Sequence, residues 1–332
     1  MDDKLKVCAS PHLHTRESVG KIMWLVTAAL LPSGIAGVYI FGFPALWTIL
    51  IATLSAVATE WAVQAATKRK TTISDGSAVL TGILIAFNLP PNCPFWIPIV
   101  GSFVAIAIGK QIFGGLGQNI FNPALVGRAF LVASWPQHMT AFTKPHSYNA
   151  VTAASRFSYD AVTQATPLSL LKENKIIENI SYLDLFLGNR AGCIGEVCIA
   201  ALIIGGIFLL WRRIITWHIP ASFIATTGIF CFVFSGKTML SGDWLFHILS
   251  GGLFLGALFM ATDYVTSPLT AKGQLIFGTG CGLLTAIIRL WGGYPEGVSY
   301  AILMMNAATP LIDRYTKTRI YGTGKILPPG HA

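Results

Sequence analysis

The sequence predicts an all-α integral membrane protein of about ten transmembrane helices, and three observations predict it. Hydrophobic residues make up 53% of the 332 positions and charged residues only 11%, where a soluble chain carries about a quarter charged residues to face water on all sides. Apolar runs recur along the whole length, separated by short polar stretches. The basic residues that give a net charge of +9 gather at the ends of those runs, which favours a membrane explanation over nucleic-acid binding.

The chain opens with a polar, mixed-charge segment, residues 1–20, that includes Lys4, Lys6, Arg16 and Glu17. His12 and His14 lie there and are expected at an interface near partner subunits. The first apolar run, Lys21–Ile40, outlasts the short core of a signal peptide and contains Pro32, so it is expected to stay as an anchor. The second, Ala45–Ala66, carries Glu60, the only carboxylate clearly inside a predicted helix. Glu60 is a candidate for cation or proton contact, with a hydrogen-bonded or snorkelling role as the alternative.

Ser77–Leu89 and Pro123–Trp135 flank the run Phe95–Gly109 and are shorter than the ~20 residues that cross a ~30 Å hydrocarbon core. Short segments survive at membrane depth only where protein or a cavity shields their free backbone groups. Both are therefore predicted to be discontinuous or tilted helices beside a buried site. Residues 21–136 form a first membrane half of about five helices, and 137–196 a long hydrophilic loop. A second half, 197–314, follows with runs at Val197–Leu210, Ile214–Phe234, Trp244–Ala261, Leu275–Leu290 and Val298–Ile312, before a tail at 315–332.

With the connections assigned to alternating sides, fifteen of the 23 basic residues fall on the side of the termini and six on the other. Both termini are thus expected to be cytoplasmic and the 137–196 loop external, or periplasmic in a bacterium. The two halves echo one another. Ser77–Gly82, Gly114-Gly115 and Pro123–Phe130 are matched in order by Ser250–Gly256, Gly292-Gly293 and Tyr300–Asn306. The predicted topology inverts the second unit relative to the first, and inverted repeats place sites at their interface; chance similarity of two glycine-rich bundles is the alternative.

Arg128 and Asp263 fall within or at the edge of predicted spans. Such groups face a pathway, a cofactor or a partner charge, or else snorkel to the headgroups. Cys8, Cys93, Cys193, Cys198, Cys231 and Cys281 form no CxxC pair, which implies no metal site; they read as buried apolar thiols, or as contributors to a cluster shared with a partner. His218 and His247 lack a third ligand in view. There is no GxSxG, HExxH or P-loop, and Gly114–Gly117 follows a membrane helix, where a tight turn explains it.

The polar stretch Asp160–Leu168 ends in Thr166-Pro167. By itself it reads as a turn in which Thr166 caps a helix over Leu168–Leu171.

Several stretches carry a resemblance: Ser10–His14, Ser74–Gly82, Gly117–Phe130, Ala165–Leu168, Ile194–Glu196 and Phe259–Pro268. In these the chain resembles the D subunits of the Rnf complex, the ion-translocating ferredoxin:NAD oxidoreductase, and is similar to the B subunits of the sodium-pumping NADH:quinone oxidoreductase. The short amino-terminal segment fits the Rnf side of that family. The resemblance implies a bacterial inner-membrane protein with other Rnf subunits and the lipid bilayer as partners. It also implies covalent FMN, through the pattern D-x-x-[ST]-G-A-[ST] whose last hydroxyl forms a phosphoester. Here that residue is Thr166, with Asp160 and Thr163 before it, Thr163 the alternative hydroxyl, and Gln164 where the pattern has glycine. A second, non-covalent riboflavin is implied by the quinone-reducing relatives, with Asn119, Asn122 and Asp263 as candidates to contact it. On this reading the protein relays electrons between ferredoxin and NAD, whose sites lie on other subunits, and couples the relay to Na+ or H+ movement. A channel or small-solute transporter of inverted repeats, with no redox cofactor, is the alternative.

Overall fold

The computed structural model describes residues 18–145, 165–173, 181–236, 239–294 and 296–317. Among these the protein is all helical, with no β-sheet.

Ser18 caps α1 (Val19–Phe41), its hydroxyl accepting from Lys21 N at 3.3 Å. A single residue, Gly42 with φ +73°, turns the chain into α2 (Phe43–Ala66), a left-handed conformation that a Cβ disfavours. Asp75 then starts α3 (Ser77–Phe87) by accepting from Ser77 N at 2.8 Å and Ser77 Oγ at 2.5 Å. α4 (Trp96–Phe103) runs on as a π-helix over Val104–Gln111. α5 (Pro123–Ser134) follows, capped by the Asn122 side chain on Ala124 N (3.0 Å) and Leu125 N (3.4 Å). Three short helices succeed it, α6 (Pro136–Thr140), α7 (Pro167–Lys172) and α8 (Tyr182–Leu187). The second half holds α9 (Ile199–Trp211), α10 (His218–Phe234), α11 (Trp244–Leu249), α12 (Leu253–Leu255) continuing as a π-helix over Gly256–Met260, α13 (Ala271–Trp291) and α14 (Val298–Tyr315).

Every apolar run predicted from the sequence is helical. α1, α2 and α13 are long and apolar enough to cross a membrane, and α3, α4 with its π extension, α5, α9 and α10 are shorter apolar helices. The two runs predicted to be short are short, at 11 and 12 residues. Trp244–Ala261 is not one helix: it breaks at Ser250-Gly251-Gly252, where Gly251 takes φ +70°. This is a membrane protein by its outer surface as well. Ile35 on α1, Leu54 on α2 and Ile229 on α10 are 69%, 68% and 65% exposed, a placement that lipid or partner helices accommodate and water does not.

The interior is held by Phe87, Leu89, Ile97, Leu125, Phe223 and Phe277, all fully buried. Small residues let the helices approach. A Cβ on Gly82 would sit 2.6 Å from Thr53 Cα, and one on Gly205 would sit 2.1 Å from the Ala29 carbonyl oxygen, so α2–α3 and α1–α9 pack backbone to backbone. The end of the predicted external loop belongs to this interior. Ile194 N donates to Leu89 O (3.1 Å), Gly195 N to Phe87 O (3.0 Å) and Ser33 Oγ to Gly195 O (2.9 Å). The carbonyls of Phe87 and Leu89, left free where α3 stops short, are thereby satisfied, as an apolar surrounding requires.

A candidate cofactor cleft and two further polar clusters

The break in the second half leaves carbonyls at the end of α11 without helical partners. Two buried arginines take them. Arg190 donates to Leu249 O (2.6 Å), Gly251 O (3.4 Å) and Glu196 O (3.0 Å), and Arg289 on α13 donates to His247 O (2.5 Å) and Ser250 O (3.1 Å). Guanidinium groups suit this position, since helix carbonyl ends carry partial negative charge.

Two carboxylates answer these cations. Glu296, between α13 and α14, accepts from Gly252 N through Oε1 (2.6 Å) and from Arg128 Nη2 through Oε2 (2.5 Å). The other arm of Arg128 reaches Asn88 Oδ1 at 2.5 Å, at the end of α3. Glu196, 4% exposed, accepts from Cys193 N through Oε1 at 3.0 Å, while its Oε2 is buried with no partner among the described residues. Burial, then the neighbouring Glu296 carboxylate, push Glu196 up to about 7, against the charges of Arg128 and Arg190. Burial acts to raise Glu296 as well, but the guanidinium charges of Arg128 and Arg289, with the Gly252 N–H, hold it below the ordinary carboxylate value. Burial in the same cluster, with Glu196 beside it, pushes the Cys193 thiol well up, which marks a structural rather than a reactive thiol.

A cleft opens beside this cluster, lined among others by Arg128, Thr166, Arg190, Glu196, Tyr294, Glu296 and Tyr300. Thr166 reaches it because α7 is tied down: Lys172 donates to the carbonyls of Gly292 and Tyr294, and Leu168 packs on the turn at Gly251. The half-buried Thr166 caps α7, as the local sequence predicts, with Oγ1 accepting from Ser169 N (3.2 Å) and 2.8 Å from Ser169 Oγ. The rings of Tyr294 and Tyr300, which also line the cleft, lie 5.4 Å apart and tilted by 31°.

Glu60 lies in a second cluster, fully buried. Lys110, at the end of the π-helix, donates to both its oxygens (2.8 and 2.9 Å) and to Ser77 Oγ (2.6 Å), and Gln64 and Gln111 each donate to Oε1 at 3.0 Å. Lys110, just past the end of the predicted run Phe95–Gly109, is 2% exposed; the π-helix carries the helical run on through it to Gln111. α3, about 16 Å long by helical rise, runs from Ser77 in this cluster to Asn88 in the first.

Asn119, Asn122 and Asp263 form a third group, at the start of α5. Asn122 Nδ2 donates to Met260 O (3.1 Å), Asn119 Nδ2 to Phe121 O (3.1 Å), and the half-buried Asp263 is hydrogen-bonded by the Asn119 and Thr266 side chains. Among the described candidates, the structure thus brings Thr166 and Arg128 to one cleft and leaves Glu60 and the Asn119, Asn122 and Asp263 group in two separate places. Asp160, Thr163 and Gln164 lie outside the described residues. Arg190, Glu196, Arg289 and Glu296 were not singled out as site residues from the sequence. Arg289 is flanked by Ile287, Ile288, Leu290 and Trp291, and Glu196 precedes Val197-Cys198-Ile199; a charge set in apolar surroundings was the available signal. Cys93, Cys193, Cys198, Cys231 and Cys281 are free thiols. His218 stacks on Trp217, and His247 is buried with Nδ1 unpartnered among the described residues.

Among known proteins, the family model described as NQR2, RnfD, RnfE matches residues 6–322. The chain is 52% identical over 324 residues to the D subunit of the Na+-translocating ferredoxin:NAD+ oxidoreductase complex of Acetobacterium woodii, covering 97% of this chain and 96% of that one. It is 48% identical over 326 residues to the D subunit of the proton-translocating ferredoxin:NAD+ oxidoreductase complex of Clostridium ljungdahlii, covering 96% of each. With the D subunit of the ion-translocating oxidoreductase complex of Citrobacter koseri it shares 38% identity over 347 residues, covering 96% of this chain and 99% of that one.

Proposed function

The chain belongs to the NQR2, RnfD, RnfE family, and from that premise we propose that it is the D subunit of an ion-translocating ferredoxin:NAD oxidoreductase complex, carrying FMN esterified to Thr166. The observation that carries the cofactor reading is the convergence of Thr166, two arginines and two tyrosine rings on one cleft. The donor set fits the group. Arg128 and Arg190 line the cleft and favour a phosphate ester at Thr166, and Tyr294 and Tyr300 offer faces to an aromatic ring. The flavin would supply one- and two-electron chemistry; the protein supplies position, insulation and charge. The other subunits of the complex are its partners.

The same reading takes over from the sequence the inverted repeats, the ten crossings, cytoplasmic termini and an external 137–196 loop, apart from the buried end of that loop at Ile194-Gly195. Lys110 and Arg289 each lie about one turn before a Gly-Gly turn and each is buried in a charge cluster. Yet α5 begins near the end of the first of these helices, with a Cβ on Gly109 3.0 Å from Pro123 Cα, and directs Arg128 to the end of the second. A non-covalent riboflavin at Asn119, Asn122 and Asp263, and an ion path past Glu60, belong to the same reading. Both are polar groups at membrane depth beside π-helical backbone, a combination met at functional sites.

In-gel flavin fluorescence under denaturing conditions tests the attachment, in cells that also express the attaching enzyme. Wild type is expected to fluoresce and Thr166→Ala to be dark. A dark wild-type band overturns the flavin reading, and fluorescence kept in Thr166→Ala but lost in Thr163→Ala moves the ester.

A further inference from the structure

Six of the seven buried polar side-chain atoms without partners among the described residues gather in one place; the seventh, His218 Nδ1, lies apart at the start of α10. Arg190 Nε, Glu196 Oε2, His247 Nδ1, Ser250 Oγ, Thr285 Oγ1 and Arg289 Nε all belong to the cation cluster around the α11–α12 break or to the α13 turn beneath it. Within that group Glu196 is the acid without a committed role. Both oxygens of Glu296 are occupied, by Gly252 N and Arg128, so Glu296 is held as an acceptor. Glu196 uses only Oε1. A Cβ on Gly252 would stand 2.6 Å from Glu296 Oε1 and 2.8 Å from Glu196 Oε2, so the two carboxylates converge on one face of that glycine, and both line the cleft beside Thr166.

We propose that Glu196 is the proton-exchanging group of this cleft, taking up one proton at Oε2 when negative charge enters beside Thr166 and releasing it when the charge leaves. The proposal rests on the flavin reading for the source of that charge, an electron delivered by a one-electron donor within the complex. The only bond formed in the protein is O–H on Glu196; the bond broken is an O–H of a hydronium ion in water reaching the cleft, which leaves as water, and one proton offsets one electron. Added negative charge disfavours an ionised neighbour, and Glu196 is the carboxylate free to respond. Its surroundings set the balance: Arg128 from α5, Arg190 and Cys193 from its own loop, Arg289 from α13 with His247 of α11 behind it, and Glu296 from the turn before α14. Two carboxylates among three guanidiniums leave one positive charge in excess when both are ionised. An anion in the cleft offsets that excess, and further negative charge then favours the proton on Glu196.

Reduced-minus-oxidised infrared spectra of the purified complex test this through the carbonyl stretch of a protonated carboxyl. Wild type is expected to gain such a band on reduction, shifted by deuterium exchange, absent in Glu196→Gln and kept at altered frequency in Glu196→Asp. In the Thr166→Ala complex the band is expected to stop responding to reduction, while a pH titration still shows the Glu196 carboxyl protonating between about pH 5 and 9. A flavin-loaded wild type with no reduction band overturns the proton role and leaves the flavin reading standing. A complex with no covalent flavin overturns that reading separately, and the pH titration then decides Glu196: a carboxyl fixed in one state across the range, or an undiminished band in Glu196→Gln, overturns the proposal.

Discussion

Glu196 and Glu60 are both buried carboxylates, and they differ in how their charge is met. Glu60 has Lys110 on both oxygens and two glutamine amides besides. Removing one partner of such a pair leaves an uncompensated charge, so Lys110→Met is expected to destabilise by about 3–5 kcal/mol. Glu60→Gln with Lys110→Met together is expected to recover part of that, and thermal unfolding in detergent measures both. Glu196 instead sits raised, to about 7 from 4.5. Between those values the native state holds a proton that the unfolded chain has lost, so stability falls as pH rises through that window. The unfolding midpoint of Glu196→Gln is expected to lack this slope, while wild type shows it. Sequence alone placed neither residue in its network. Lys110 is fifty positions from Glu60, and Glu296 a hundred from Glu196, so the pairings depend on helices meeting in space.

At the scale of elements, the shortness of α3 and α5 was legible because a helix of 11 or 12 residues cannot cover the hydrocarbon thickness. What replaces the missing length was not. For α3 it is Ile194-Gly195, whose amides meet the carbonyls of Leu89 and Phe87; for α11 it is a pair of arginines. The close contact at Gly195, where a Cβ would fall 2.2 Å from Phe87, makes Gly195→Ala an overpacking change. It is expected to cost about 1–3 kcal/mol, read as a lower unfolding midpoint and reduced yield of folded protein in the membrane fraction. The π-helices were equally hidden, since one extra residue in a turn leaves no periodic trace in an apolar run.

Across the whole molecule, two charge clusters lie at opposite ends of α3, and the proposed topology sets the Glu60 cluster on the cytoplasmic side and the Thr166 cleft outside. A membrane-impermeant maleimide is expected to label Tyr182→Cys in intact cells, and Lys317→Cys only after the cells are opened, read as the increment over the parent protein. The reverse pattern turns the topology over.

Sequence by itself determined the solvent and the segments. Composition, run length and the spacing of charges are local quantities, and they decide that these residues lie in lipid as helices, two of them too short. It also marked Thr166, through resemblance and as a helix cap. Only the tertiary structure decided that Thr166, Arg128, Glu196 and Glu296 share one cleft and that Glu60 and Lys110 are a pair. The physical reason is desolvation. A charge removed from water must be met within a few ångströms, and which charge meets it depends on how the helices pack rather than on their order in the chain.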